Sequence, residues 1–175
     1  MSEDKKVIAI DTMGGDKGPN AVLGGMNQFL YQHGEDVFFR IFGDEKILRK
    51  LLAKYPRVAR NCEVIHAPGV IKGTDKVMDV LRHAQDTSMY MAIKDVREGN
   101  SAAVISAGNT GMLMSLSKLA LKTIDGIARP AITTMLPSGA GDSRVVVLDL
   151  GANVQCDENV LFDFAVLGSV YAEVV

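Results

Sequence analysis

Apolar residues fall into two alternating rhythms along this chain. Runs of strand length occur at Lys6–Ile10, Val37–Phe42, Cys62–Ile65, Ala102–Ile105 and Arg144–Leu150. Stretches between most of them repeat apolar residues every three or four positions, as an amphipathic helix does. The first such stretch begins at Pro19, which suits a helix start because the missing N–H would be unpaired there anyway. It carries Val22, Leu23, Met26, Phe29 and Leu30 on one stripe. The second begins at Asp44, a predicted N-cap, and places Ile47, Leu48, Leu51 and Leu52 on one face. Further helices are predicted over Asp75–Arg82, Ser88–Arg97, Thr110–Thr123 and Glu158–Ala172. Short apolar strands alternating with helices predict an α/β fold, a doubly wound and largely parallel sheet covered on both faces.

Ala131–Pro137, with β-branched Ile132, Thr133 and Thr134, predicts one more strand. The turn residues Ser138-Gly139-Ala140-Gly141 then lead back into Arg144–Leu150 as a hairpin-like pair. The last helix has almost no polar face, since Val160, Leu161, Phe162, Phe164, Ala165, Val166, Leu167, Val170 and Tyr171 surround it. A helix of that kind is normally covered on all sides, and the expectation is that the natural protein continues past Val175 to cover it. No internal repeat, low-complexity tract or linker interrupts the chain.

Composition narrows the class without naming a chemistry. With 175 residues, 47% hydrophobic and 23% charged, the chain can bury one sizeable core and is not of disordered type. A formal net charge of −2 gives no general pull toward nucleic acid. Cys62 and Cys156 form no C-x-x-C pair, so they read as two buried thiols rather than a disulfide or zinc site. The opening MSEDKKVIAI is too short in its apolar part for a signal peptide, and no stretch reaches about 18 continuous apolar residues. The chain reads as cytoplasmic and soluble.

In a doubly wound sheet, ligands bind beyond the carboxyl ends of the strands, where loops lead into helix N-termini. Four loops of unusual composition have that position. Asp11–Pro19 reads DTMGGDKGP, and Gly14 and Gly15 let the backbone approach a ligand, with Asp16 beside them. It is neither the G-x-G-x-x-G fingerprint nor a P-loop, and taken alone a glycine pair after a strand is more often a tight turn. Ser106-Ala107-Gly108-Asn109-Thr110-Gly111 combines two glycines with three short hydrogen-bonding side chains. It suits a cradle for phosphate or a carbonyl oxygen, and equally an N-cap cluster, and the two readings are compatible. Asp149 to Val154 repeats the arrangement, with Asp149 either holding a ligand or accepting backbone N–H groups in its own turn. Arg129, just before Pro130, is extended rather than helical and would clamp an anion if it stood beside such a cradle.

His33, His66 and His83 have no partners at metal-ligand spacing, so no metal site is indicated. No G-x-S-x-G elbow or Cys-His arrangement marks a covalent nucleophile. That suits a reaction whose nucleophile arrives from solution.

Taken together and in order, these segments resemble the PlsX-type phosphate acyltransferase family. IDTMGGDKGP resembles its I-D-x-M-G-G-D-x-x-P signature, ISAGNTGMLM its S-A-G-N-T-G-A-L-M segment and GIARPAI its G-I-x-R-P-A segment. VLDLGANVQCDENVLFDFAVLGSVYAE is similar to its L-D-x-G-A-N-V and M-G-S-V-Y stretch. The resemblance spans nearly the whole chain and implies that residues 1–175 form the N-terminal half of one large α/β domain. The implied fold is isocitrate/isopropylmalate dehydrogenase-like, used without a cofactor. The implied activity moves a fatty acyl group from acyl carrier protein to inorganic phosphate, giving an acyl phosphate for phospholipid synthesis. Also implied are a homodimer and a cytoplasmic protein in peripheral contact with the membrane, with no nucleic-acid partner. The chain departs from the family at Val77, where a proline is usual. It departs again at Ala84, Gln85, Asp86, Thr87 and Ser88, where basic residues usually precede a serine pair. Ligand contacts of that loop are therefore not carried over.

Under this reading Ser106, Asn109 and Thr110, with the Gly108 and Gly111 backbone, meet the phosphate or the oxyanion. Asp11, Gly14, Gly15, Asp16, Arg129, Asp149 and Asn153 shape the pocket. The proton donor for the leaving thiol is expected beyond Val175. Two other readings are a phosphate acetyltransferase-like enzyme using an acyl-coenzyme A, and an inactive anion-binding or dimerisation fragment. A nicotinamide-dependent dehydrogenase is disfavoured by the missing fingerprint and acidic metal cluster.

Overall fold

A computed structural model describes residues 5–72, 75, 80, 83–139, 144–153 and 155–175. The chain divides into two compact units, Met1–Leu121 and Lys122–Val175.

The first unit is built on four parallel strands, β1 (Lys6–Asp11), β2 (Val37–Gly43), β3 (Cys62–His66) and β4 (Ala103–Ser106), in the order β3-β2-β1-β4. Helices α1 (Gly18–His33), α2 (Glu45–Leu52) and α3 (Pro56–Arg60) connect the first three strands, and α4 (Ser88–Arg97) precedes β4. Strand alternation divides the core. Ile10, Phe39 and Ile41 pack with Leu23 and Leu30 of α1, Leu48 of α2 and Val58 of α3. On the other side Ala9 and Phe42 meet Ala92 of α4. Helix α5 (Thr110–Leu121) then packs against α4 through Met89, Ile93, Met112 and Leu116. Each fully buried leucine or isoleucine contributes about 1.5–3 kcal/mol. The two faces thus hold the sheet between layers, as the strand and helix rhythm predicted.

A charged cluster sits at the edge of this core, with Asp95 buried and Arg40 half-buried. Arg40 of β2 lies 3.1 Å from both Glu63 of β3 and Asp95 of α4. Ser101 Oγ donates to the same Asp95 carboxylate at 2.6 Å. Cys62 is half-buried, and burial pushes its thiol up to about 11. Alkylation of Cys62 by iodoacetamide at pH 8 is therefore expected to run about 100-fold slower than that of a solvated thiol, because so little thiolate is present. Mass spectrometry of the modified peptide against time reads the rate, and labelling at the solvated rate would refute the assignment.

The second unit contains the antiparallel pair β5 (Thr133–Pro137) and β6 (Arg144–Leu148), with register partners Thr133 and Leu148 at one end. It also contains α6 (Glu158–Val174), capped by Asp157, whose carboxylate accepts the Val160 N–H at 3.0 Å. Gly168 of α6 faces Leu148, so close that an added Cβ would stand 2.9 Å from Cδ1. Val160 and Phe164 are buried, whereas Leu161, Phe162, Val166 and Val170 are exposed.

Most predicted boundaries hold to within two residues, and the departures have local causes. β6 stops at Leu148 rather than Leu150 because Asp149 takes a left-handed backbone, φ 58°. α5 stops at Leu121 for the same reason at Lys122, φ 66°. α3 and the 3-10 turn Ala84–Asp86 were not predicted, being too short to show a period. Most of the helix expected over Asp75–Arg82 lies outside the described residues, as do Val77, Val154 and the Ala140-Gly141 part of the turn.

Candidate functional site

Strand β1 has β2 on one side and β4 on the other; α1, which follows β1, covers one face of the sheet, and α4, which precedes β4, covers the other. The carboxyl ends of β1 and β4 therefore bound a topological switch point, the place where open α/β sheets form their ligand crevice. Asp11 closes β1, Ser106 closes β4, and the two are register partners.

Asp11 is 1% exposed and its carboxylate is surrounded by donors. Oδ1 accepts Ser88 Oγ–H at 2.6 Å and the N–H groups of Met13 and Gly14, each at 3.3 Å. Oδ2 accepts Ser106 Oγ–H at 2.7 Å, and Ser106 Oγ in turn accepts the Gly108 N–H at 3.0 Å. No ion pair involves Asp11 among the described residues, so hydrogen bonds alone offset the loss of water. The carboxylate ties three segments: the loop after β1, the start of α4, and the loop between β4 and α5.

The glycines exist to let those loops touch. A Cβ on Gly14 would stand 2.6 Å from Asp11 Oδ2 and 2.8 Å from the Gly108 nitrogen. Gly15 has φ 87° and lies against the Ala107 carbonyl. At the start of α5, Asn109 Oδ1 accepts the Met112 N–H at 3.0 Å, and its carbonyl accepts the Leu113 N–H at 2.9 Å. Asn109 is thus a helix cap, and Thr110 and Gly111 present first-turn N–H groups that have no partner within the helix. Asn109 and Thr110 are exposed. A cavity of about 320 Å³ opens on the glycine loop, lined by Gly14, Gly15, Asp16, Lys17 and Ala107 among others. Exposed Asp16 takes no part in the Asp11 network. A larger apolar cavity of about 470 Å³ runs beneath α1, between Ile10, Val22, Met26, Phe29 and Ile105, with Asp11 and Ala107 also lining it.

The structure thus brings together Asp11, Gly14, Ser106 and Gly108, with Gly15, Asn109, Thr110 and Gly111 on the same two loops. Arg129, Asp149 and Asn153 belong to the second unit and form a local set there. Asn153 donates its backbone N–H and its amide to the Asp149 carboxylate, at 3.1 Å to Oδ2 and 3.0 Å to Oδ1 respectively. The Asn153 amide also donates to the Pro130 carbonyl at 3.1 Å, and Arg129 Nη1 donates to the Gln155 carbonyl at 2.9 Å. Among the described residues no group of three His, Cys, Asp or Glu side chains could hold a metal ion.

Ser88 was absent from the predicted site. It was predicted only as the first residue of a helix, which Thr87 caps by accepting the Tyr90 N–H. Nothing local could reveal that Ser88 reaches a carboxylate 77 residues earlier.

Two small-residue loops tied to one buried carboxylate thus lie at the switch point of a doubly wound α/β fold, the place where such sheets form a ligand crevice. Comparison with known proteins sharpens that. A family model described as fatty acid synthesis protein matches residues 6–175, and the chain belongs to that family. Phosphate acyltransferase of Neorickettsia sennetsu is 45% identical over 171 residues, covering 97% of this chain and 49% of that protein. Phosphate acyltransferase of Granulibacter bethesdensis is 45% identical over 175 residues, 100% of this chain and 46% of that protein. The chain therefore spans about half the length of these curated relatives. Among solved structures, the EutD phosphotransacetylase from Staphylococcus aureus aligns with a TM-score of 0.64 at 23% identity, over 94% of this chain and 52% of that one. That likeness supports the α/β fold class.

Proposed function

We propose that residues 1–175 are the N-terminal half of a single large α/β domain whose whole transfers a fatty acyl group from acyl carrier protein to inorganic phosphate. The observation that carries this reading is the double loop held by Asp11 at the switch point, in a chain whose relatives are named phosphate acyltransferases.

A phosphate oxygen attacks the thioester carbonyl, a C–O bond forms, and the C–S bond breaks. The sulfur leaves with the bonding pair as the carrier's thiolate and is then protonated, so the products are an acyl phosphate and free carrier. For such a displacement this half of the protein provides position and charge complementarity. The first-turn N–H groups of Thr110 and Gly111 and the α5 dipole favour the anion. Asn109 keeps that turn open by satisfying the Met112 N–H with its own side chain. The apolar cavity beside the same loops gives the acyl portion a compatible surface. Asp16 shapes the surroundings, and the group that protonates the thiol lies in the other half. A homodimer in peripheral contact with the membrane completes the reading. No helix among the described residues is long and apolar enough to cross a membrane.

The test is phosphate-dependent release of free carrier from palmitoyl carrier protein by the full-length protein, with palmitoyl-coenzyme A as a second donor. Turnover with the carrier thioester supports the reading, and turnover with coenzyme A alone replaces it. Asn109→Ala in the same protein is expected to raise the phosphate KM about 10-fold and cost about 1 kcal/mol of stability. Unchanged phosphate KM would remove Asn109 from the site.

A further inference from the structure

A serine hydroxyl has one proton and two lone pairs. In Ser106 the proton lies on the 2.7 Å bond to Asp11 Oδ2, and one lone pair accepts the Gly108 N–H. What remains to face a ligand is a lone pair. Asp11 cannot turn away to release the proton, because its other oxygen is fixed by Ser88 at 2.6 Å and by two backbone N–H groups. Ser88 is itself 2% exposed, so this bond is sheltered from water. The half-buried Ser106 closes β4 on the connection that leads to Thr110 and Gly111, whose first-turn N–H groups are donors, and its own remaining group is an acceptor.

We propose that Ser106 is a specificity-determining acceptor that admits an oxyanion only when the anion carries a proton, with Asp11 and Ser88 as the positioning residues that fix its direction. Hydrogen phosphate has an O–H to donate into the free lone pair, and sulfate at neutral pH has none. Helix N-terminal N–H groups hold either anion alike. The discrimination falls to Ser106, where sulfate would set lone pair against lone pair and leave a polar group unpaired. This inference rests on the acyl-transfer reading of the same site and adds the chemical feature by which phosphate would be recognised there.

The experiment uses the full-length protein and three anions: phosphate as substrate, with arsenate and sulfate as competitors. Arsenate carries a proton at neutral pH as phosphate does. Arsenate is expected to compete within a few-fold of phosphate, and sulfate to bind about 10- to 100-fold more weakly. Asp11→Asn is the sharp variant. Its carbonyl keeps the three donors now on Oδ1, its amide donates to Ser106 Oγ, and the serine proton turns outward. The phosphate-to-sulfate ratio should then shrink about 10-fold, mainly through tighter sulfate binding. Should that variant not fold, Ser106→Ala is expected to weaken phosphate and to tighten sulfate, because the opposing lone pair is gone. Equal binding of sulfate and phosphate by the wild type would overturn the proposal, as would an unchanged ratio in a folded variant. Calorimetric titration of the two anions reads the same selectivity without turnover. A protein that selects phosphate over sulfate yet transfers no acyl group would sink the reaction and leave the selectivity standing.

Discussion

Gly14→Ala is expected to lower kcat/KM of the full-length protein about 100-fold or more and to cost about 1–3 kcal/mol of stability. The new Cβ would lie 2.6 Å from Asp11 Oδ2, 2.8 Å from the Gly108 nitrogen and 2.9 Å from the Gly108 Cα. None of these atoms can move aside alone. Two belong to backbone, and the third is locked by Ser106 on its other side. The two loops must part, and a displacement of about 1 Å at a reacting centre is enough for a loss of that size. The cause is space rather than backbone conformation, since Gly14 is not among the glycines with positive φ. Steady-state kinetics with a denaturant titration checks both numbers. Wild-type kinetics in this variant would mean that the loops do not meet as described.

Asp11→Ala should be the most damaging single change to this half of the protein, with turnover lost and stability lowered by about 2–4 kcal/mol. The substitution removes the acceptor shared by Ser88, Ser106, Met13 and Gly14. Buried donors left without partners carry their desolvation cost in full. Asp11→Asn keeps most of these bonds, so its loss should be clearly the smaller one. Urea titration with an unchanged slope would place the difference in the folded state. Equal stability of the alanine variant and the wild type would show that the carboxylate is not the tie between the three segments.

Much of the first unit could be read from residue order. Strand and helix rhythm predicted all four parallel strands, and the helix predicted over Ser88–Arg97 has those bounds in the structure, where Thr87 caps it. Asp44 caps α2 as expected, its carboxylate accepting the Ile47 N–H at 3.0 Å. The two loops of the candidate site were singled out by their small residues after a buried strand and before a helix, a composition that equally suits a tight turn and a helix cap. What could not be read was contact between distant segments. The Ser88 bond to Asp11, and the direction in which Ser106 spends its proton, depend on how β1, α4 and β4 pack. Asp149 and Asn153 show the converse limit. Their composition suggested a cradle, and a short-range bond between them equally satisfies it.

The register of β1 against β4 makes the candidate site a matter of counting. Asp11 stands opposite Ser106 because Ile8 stands opposite Ala103, with the same number of residues along each strand between those pairs. One residue inserted between Ala103 and Ile105 would set Ile105 opposite Asp11 and turn the hydroxyl to the opposite face of the sheet. The same insertion in the turn between α2 and α3 would change no pairing. Length variation in this protein is therefore expected to be tolerated at the helix connections and fatal within these two strands, which makes insertion scanning a map of the site that needs no substrate.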